Sequence, residues 1–181
     1  MRCFCYKTER GATTFVTKVI PFFMPKRLLK YKNYDVHSIT TTTSDGRQNA
    51  NIATWVMQTA MGGTHLVVAL YQPDYTIELV RESGILNVNL LTTQQTGLIR
   101  KLGRLSGREK DKFSNLPHAF DQRGCPYLTE AIGYAQCRVL HTTNAGDHDL
   151  FICEVLKQIV LNPDKAVLTN DYLKEKKIVR G

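Results

Sequence analysis

Two long strand-like segments near the end of the chain constrain its fold more than any other feature. Residues 134–141 alternate between apolar and polar side chains, and residues 148–160 form a second run suited to a long strand. Between them, residues 144–147 (Asn-Ala-Gly-Asp) are typical of a turn. The spacing and composition predict an antiparallel β-hairpin.

Further strands are predicted upstream of this hairpin. Residues 36–43 are rich in β-branched side chains and lead through Ser44-Asp45-Gly46 into a second strand at residues 51–59. A continuous apolar run at residues 66–71 predicts a strand buried on both faces, and residues 85–91 predict one more.

Short helices are predicted between the strands. Asp74 is suited to cap a helix that ends at Ser83-Gly84. Capping boxes at residues 92–95 and 106–109 predict two more helices, the second running through Phe113. This order predicts a mainly β fold, an antiparallel barrel with helical inserts, because the strands do not alternate regularly with long helices.

The positive charge of the chain is concentrated at its start. The net charge is +8, and residues 1–32 contain eight basic residues and one acidic residue. We therefore predict a basic N-terminal extension at residues 1–32, a nearly neutral domain at residues 33–181, and a solvated basic tail at residues 169–181. No nucleic-acid partner is expected, since that would require a basic face on the folded domain.

Cysteine usage and hydropathy indicate a cytoplasmic protein. The five cysteines are an odd number without C-x-x-C pairs, which favours neither a disulfide framework nor a zinc site. Cys137 and Cys153 are expected to be small buried hydrophobes. The apolar residues 19–25 are far short of the ~20 that a membrane span needs, and they lack the features of a signal peptide. No membrane association is expected.

The segment at residues 49–59 has the composition of a wall for a flat polar ring. Such a ring needs hydrogen bonds at its rim and apolar contacts at its faces. Trp55 and Val56 are suited to the faces, and the polar side chains suited to the rim are Asn49, Asn51, Thr54, Gln58 and Thr59.

Two further segments carry candidate functional residues. Ser106-Gly107-Arg108 begins a predicted helix, where free backbone amides favour phosphate, and Arg108 and Lys112 add charge. A capped surface helix is the alternative. His148 follows a glycine and an aspartate at the predicted turn, where it serves the turn alone, donates to a reduced flavin or orients a nicotinamide amide. The other four histidines share no metal-ligand spacing, and no metal site is predicted.

Five motifs in sequence order resemble the flavin-reductase-like family with the FMN-binding split-barrel fold. The S-G-R-x-x-D-K-F form of one of them resembles the flavoredoxin branch. The likeness covers residues 34–181 and rests on residues 49–59, Tyr75-Thr76 with residues 77–84, Val88-Asn89-Leu90-Leu91, Ser106-Gly107-Arg108 to Lys112-Phe113, and Gly146-Asp147-His148 to Val155. Where many relatives have a Pro-Pro-like pair, this chain has Gly62-Gly63-Thr64-His65.

The resemblance implies a homodimeric antiparallel split β-barrel that binds FMN, sometimes FAD, and moves electrons from NAD(P)H to flavin or from flavin to another acceptor. It implies that His148 faces the nicotinamide. Residues expected to contact the flavin, from this carry-over and the composition together, are Asn49, Asn51, Ala53, Thr54, Trp55, Val56, Gln58, Thr59, Asn89, Leu90, Ser106, Gly107, Arg108 and Lys112. The length of the 148–160 strand adds a physical argument for a dimer, since an open sheet edge of that length needs covering.

Three functions fit these observations. The first is an NAD(P)H:flavin oxidoreductase, in which hydride passes from the nicotinamide to the flavin with little need for an acid or base. The second is a non-catalytic FMN protein of the flavoredoxin type that relays electrons between partner proteins. The third is a cofactor-free barrel used for interaction, and it leaves the polar residues of the 51–59 strand without an evident role.

Overall fold

The computed structural model describes residues 27–179. The chain divides into two compact units, residues 1–32 and residues 33–181. The described part of the first unit contains one turn of 3-10 helix, Leu28–Tyr31. The rest of the predicted basic extension, with Cys3 and Cys5, lies outside the described residues.

Seven strands of the second unit form one antiparallel sheet in the order β2-β1-β5-β8-β9-β4-β3. Two shorter strands, β6 and β7, pair as a separate ribbon. The strands are β1 (His37–Thr42), β2 (Gln48–Ala53), β3 (Val56–Gln58), β4 (His65–Tyr71), β5 (Ile85–Leu90), β6 (His118–Phe120), β7 (Pro126–Leu128), β8 (Gly133–Ala145) and β9 (His148–Val160).

The sheet is curled, because β2 and β3 lie at its opposite edges and yet only Thr54 and Trp55 separate them in the chain. The main-chain N–H of Ala69 on β4 donates to the Trp55 carbonyl at 2.9 Å. The prediction of a single strand over residues 51–59 is therefore wrong. The predicted fold, an antiparallel split barrel, is confirmed.

The predicted hairpins and first helix are present. β1 and β2 pair across the Ser44-Asp45-Gly46 turn, and β8 and β9 pair across Gly146-Asp147. The first helix, α1 (Tyr75–Ser83), ends at Gly84 with a φ of 68°, a conformation that glycine adopts without strain. The Asp74 side chain does not cap this helix and instead accepts a hydrogen bond from Asn51.

The capping box at residues 92–95 is present, but it opens a 3-10 turn, Thr93–Gln95, that precedes α2 (Leu98–Gly103). The helix predicted from the capping box at residues 106–109 is absent. There the main-chain N–H groups of Glu109 and Lys110 both donate to the Ser106 carbonyl, which makes a tight turn. The Asp111 side chain then accepts from the Phe113 N–H at 2.9 Å and prevents helical continuation.

The C-terminal segment is not a solvated tail as far as the structure describes it. It contains α3 (Asn170–Glu175), capped by Thr169, and Leu173 is buried in the core. Leu173 docks this short helix on the core, and the half-buried Tyr172 packs against the same cluster.

The second unit has two apolar clusters. One joins β2, α2, α3 and the loop after α2, and the other fills the barrel between α1 and the sheet. Cys137 and Cys153 are buried in the barrel cluster as predicted, and burial raises the pKa of the Cys153 thiol to about 12. Over residues 27–179, no helix is long and apolar enough to cross a membrane.

Two strand predictions need correction. β4 buries only Val68 and Leu70, since its other face lies on the outside of the curled sheet. β9 is not a free edge over its first half, because residues 148–154 pair with β8 on one side and with β4 on the other, whereas its last residues pair only with β8. The edges of the sheet are β2 and β3.

Candidate functional site

One face of β2 carries the predicted amides. Side chains on a strand alternate between faces, so Asn49, Asn51 and Ala53 lie on the same side. Asn49 Nδ2 donates to Thr76 Oγ1 at 3.0 Å, and Asn51 Nδ2 donates to Asp74 Oδ2 at 3.1 Å. Both side chains are buried, and no protein group within residues 27–179 donates to either Oδ1 atom.

The Ser106–Glu109 turn packs directly on this amide face. A Cβ built at Gly107 would lie 2.6 Å from Asn49 Cγ and closer still to its Oδ1. Only glycine lets the turn approach β2 so closely. The structure therefore brings together Asn49, Gly107 and Arg108, which lie almost 60 residues apart in the sequence.

A polar cleft of about 350 Å³ opens beside this turn. Arg108 reaches over the Tyr75 ring, with Cζ 4.9 Å from the ring centroid, and forms an ion pair with Glu78 of α1. The residues lining the cleft are Arg47, Gln48, Tyr75, Gly107, Arg108, Glu109, Lys110 and Asp111.

Arg47 provides a second cation at the cleft. Its guanidinium contacts Asp45 at 2.7 Å and Glu82 at 2.6 Å. Glu78 and Glu82 are one turn apart on α1, so this helix holds both arginines in place. These ion pairs are solvent-exposed and contribute little to stability, yet they restrict where the two guanidinium groups lie.

Lys112 is not at the cleft surface. It is buried, and its Nζ donates to the carbonyls of Ala50 at 2.7 Å and Leu102 at 2.8 Å. Burial lowers the pKa of this ammonium, and the charge of Asp74 partly opposes that effect. Lys112 thus cross-links β2 to α2 and offers no exposed charge to a phosphate.

Asn89 is likewise engaged within the fold. Its Nδ2 donates to the Ser38 carbonyl and to Thr40 Oγ1, and its Oδ1 accepts from the Leu128 N–H at 2.8 Å. The side chain is fully buried, so it has no free group for a ligand. The neighbouring Leu90 is half-buried.

An exposed aromatic patch lies where β3 begins. His148 packs between Trp55 and Tyr71, with ring centroids 4.8 Å and 5.3 Å from its own. Trp55 is 51% exposed and Tyr71 is 44% exposed. His148 Nδ1 contacts Asp147 Oδ1 at 2.7 Å, and this contact lowers the pKa of the Asp147 carboxyl. We refer to Trp55, Tyr71 and His148 as the aromatic patch.

The remaining predicted residues follow β2 into β3. Ala53 and Val56 pack in the barrel core, while Thr54 is half-buried at the crossing between the sheet edges. Gln58 Nε2 donates to the Ala60 carbonyl at 2.7 Å, which orders the turn before β4. Thr59 is exposed beside it.

The structure therefore brings some of the predicted residues to two places joined by β2, the cleft and the aromatic patch, whereas Lys112 and Asn89 lie at neither. Sequence reasoning missed the other residues of the cleft and of the patch. Arg47 gave a usable signal, a cation just after the hairpin turn and two residues before Asn49. The residues missed were Arg47, Gln48, Tyr71, Tyr75, Glu109, Lys110 and Asp111.

The fold and these motifs define a protein with the split-barrel fold that flavin reductases also have. The profile described as "Flavin reductase like domain" matches residues 33–172, and the chain belongs to that family. Membership supports flavin binding and an oxidoreductase role.

Individual proteins are similar at moderate identity. A high molecular weight rubredoxin of Moorella thermoacetica is 28% identical over 140 residues, which are 76% of this chain and 61% of that protein. A ferric-chelate reductase (NAD(P)H) of Archaeoglobus fulgidus is 28% identical over 136 residues, covering 74% of this chain and 80% of that protein. The structure of a candidate flavin reductase from Haemophilus somnus matches with a TM-score of 0.68 at 26% identity, covering 76% of this chain and 86% of that one.

Proposed function

We propose that the chain binds FMN and transfers hydride from NAD(P)H to it, acting as an NAD(P)H:flavin oxidoreductase. FAD is the alternative flavin. When bound, the flavin supplies the hydride acceptor, so the protein has only to bind and orient two rings and to keep water from between them.

The cleft suits the phosphate end of FMN. Arg108 and Arg47 bring two guanidinium groups to its walls, and arginine binds phosphate through paired hydrogen bonds. Gly107 lets the main chain come close to a ligand as well as to Asn49. Glu82 and Glu78 form ion pairs with these arginines. A phosphate would therefore bind either by displacing the carboxylates or by sharing the arginines with them.

The amide face of β2 suits the polar part of the ligand. The Oδ1 atoms of Asn49 and Asn51 are buried acceptors with no donor from the described part of the protein. An unmatched buried carbonyl is costly, and a ligand or water that donates to it removes that cost. These residues therefore fit a polar cofactor better than they fit a cofactor-free barrel.

The observation that carries the redox proposal is the aromatic patch. Trp55 and Tyr71 expose flat apolar surface, and His148 lies between them with its Nδ1 held by Asp147. The held imidazole leaves Nε2 to hydrogen-bond a nicotinamide amide. The relative named a ferric-chelate reductase (NAD(P)H) supports the choice of reductant.

The test is anaerobic absorption spectroscopy of the full-length protein. We expect one equivalent of FMN to bind per chain, and NADH or NADPH to bleach its visible absorption within seconds. If the protein binds FMN but NADH or NADPH bleaches the flavin absorption only over many minutes, the reductase function is excluded. A colourless protein that fails to bind added FMN would favour the cofactor-free barrel.

The electron-relay function is the second candidate, supported by the similarity to a protein named as a rubredoxin. On β3 and in the turn after it, Met57 is 61% exposed and Met61 is fully exposed, which suits contact with a partner protein. A relay would keep its flavin bound and oxidise NADH slowly, and its flavin would be reduced quickly only when a partner protein that itself oxidises NADH passes electrons to it.

We also propose a homodimer. Exposed apolar side chains on the long hairpin include Leu140, Leu156 and Val160, and β9 beyond Val155 pairs only with β8. A second subunit would cover both this edge and the apolar side chains. Light scattering at micromolar concentration should give about twice 20.5 kDa, and a monomer mass would exclude the dimer.

A further inference from the structure

The end of the β8–β9 hairpin has little apolar packing to hold it. Residues 140–147 are all exposed, although His148 of the aromatic patch follows directly after them. A hairpin end without buried side chains would be expected to move, and its motion would carry His148 away from Trp55. His148 is in main-chain register with Tyr71 of β4 and Ala145 of β8, and a side-chain contact beside it adds to this pairing.

That contact is the carboxylate of Asp149. Adjacent residues on a strand point to opposite faces, so Asp149 faces inward where His148 faces the patch. The Asp149 side chain is 9% exposed, the only buried carboxylate of the hairpin.

Three elements of the fold meet at this carboxylate. Arg81 of α1 forms an ion pair with it, Gln72 Nε2 donates to it at 2.9 Å, and Asn144 Nδ2 of β8 donates at 3.4 Å. The Gln72 main-chain N–H also donates to the Asp147 carbonyl at 3.1 Å. The hairpin end is thereby tied to α1 and to the loop after β4.

We propose that Asp149 is a positioning residue that holds His148 against Trp55 for the redox step, an inference that rests on the proposed function. Asp149 does not touch either ring. Its side-chain contacts hold the strand that carries His148, and the ion pair with Arg81 links that strand to α1. The Tyr71–His148 register pair then sets the distance between the two rings of the patch.

The experiment uses Trp55 as a reporter, because it is the only tryptophan of the chain. The imidazole of His148 contacts the indole, so replacing His148 by Asn should change the Trp55 emission. We call the difference in emission between a protein and its His148→Asn counterpart the fluorescence step, and we measure it in wild type and in each variant. In Asp149→Asn we expect this step to lose at least half of its amplitude. We also expect reduction of bound FMN by NADH to slow about tenfold, with FMN affinity within twofold of wild type.

Glu154→Gln is the matched control, because it removes a carboxylate of β9 that pairs with Arg138 on the exposed side. It should leave both the fluorescence step and the reduction rate unchanged. If Asp149→Asn does not fold, Gln72→Ala, which removes one hydrogen bond to the carboxylate, should give a smaller change in the same direction.

An unchanged fluorescence step in the folded Asp149 or Gln72 variant would overturn the inference, and so would an equal loss in Glu154→Gln. The fluorescence test needs neither flavin nor NADH. A wild-type protein that fails to oxidise NADH would therefore refute the proposed function while leaving the positioning role of Asp149 to be decided by Trp55.

Discussion

The imidazole of His148 packs on the indole of Trp55 at a centroid distance of 4.8 Å and an interplanar angle of 54°. The two residues are 93 positions apart, and each lies at the start of a strand or just before one. Their contact joins the point where the chain crosses between the sheet edges to the end of the long hairpin. It therefore links the geometry of the barrel to that of the proposed redox site.

Replacing His148 should slow flavin reduction without releasing the flavin. In His148→Asn, we expect the rate of anaerobic reduction of bound FMN by NADH to fall about tenfold, roughly 1.4 kcal/mol, because ring orientation is lost while no essential proton donor is removed. Stopped-flow absorption measures the rate. His141→Asn, on the exposed part of β8, is the control. Loss of FMN binding would instead make His148 a structural residue.

Replacing Arg108 should discriminate between flavins with and without a phosphate. Arg108→Ala should weaken FMN binding by about 1.5–3 kcal/mol, the scale of a hydrogen bond to a charged group, and leave riboflavin binding nearly unchanged. Fluorescence titration of both ligands gives the comparison. Arg138→Ala removes an exposed arginine of another ion pair and should affect neither ligand. If FMN and riboflavin lost the same binding free energy, Arg108 would not be a phosphate-binding residue.

A methyl group at Gly107 should disturb both the fold and the cleft. Gly107→Ala forces the turn away from Asn49, and we expect the free energy of unfolding to fall by about 1–3 kcal/mol, as for other overpacked sites. Gly97→Ala is the matched control, since a Cβ there has no atom within 4 Å. Urea unfolding of both variants measures the difference. Equal stability would contradict the close packing of the turn on β2.

Lys112 should prove structural rather than phosphate-binding. Lys112→Met leaves the carbonyls of Ala50 and Leu102 without this donor, so we expect a loss of about 1–3 kcal/mol in the free energy of unfolding. The ratio of FMN to riboflavin affinity should stay constant. Lys110→Met, at the cleft, should instead lower that ratio with little effect on stability. If the ratio of FMN to riboflavin affinity changed in Lys112→Met, Lys112 would be a phosphate-binding residue after all.

Stability should fall on mild acidification because of His37. Burial lowers the pKa of His37 to about 4 from its ordinary 6.5, although Asp35 partly opposes the effect. The unfolded chain therefore binds the proton first, and the free energy of unfolding declines as pH falls from about 6.5 towards 4. The full shift corresponds to about 3 kcal/mol. Urea unfolding at several pH values should show a flatter profile in His37→Gln than in wild type, and identical profiles would count against the shift.

Local sequence determined most of the elements. The Ser44-Asp45-Gly46 and Gly146-Asp147 turns, the Gly84 helix end and the 92–95 capping box were readable because each depends on a few adjacent residues. The break at Thr54 and Trp55 was not readable, since both residues are compatible with a continuous strand. It arises from closure of the sheet, which depends on all seven strands.

The features of the candidate site also divide into those that the sequence predicted and those that only the tertiary structure showed. The sequence by itself predicted residues 49–59, Arg108 and His148 as site positions, because amides, a guanidinium and an imidazole occur in an ordered series of motifs. Only the tertiary structure showed that the polar groups of Lys112 and Asn89 form hydrogen bonds within the protein. It also decided that Arg47, Tyr75 and Arg108 share one cleft, and that the Asp149 carboxylate contacts Arg81, Gln72 and Asn144. A side chain's partners depend on which distant segments fold against it, and chain order does not encode that adjacency locally.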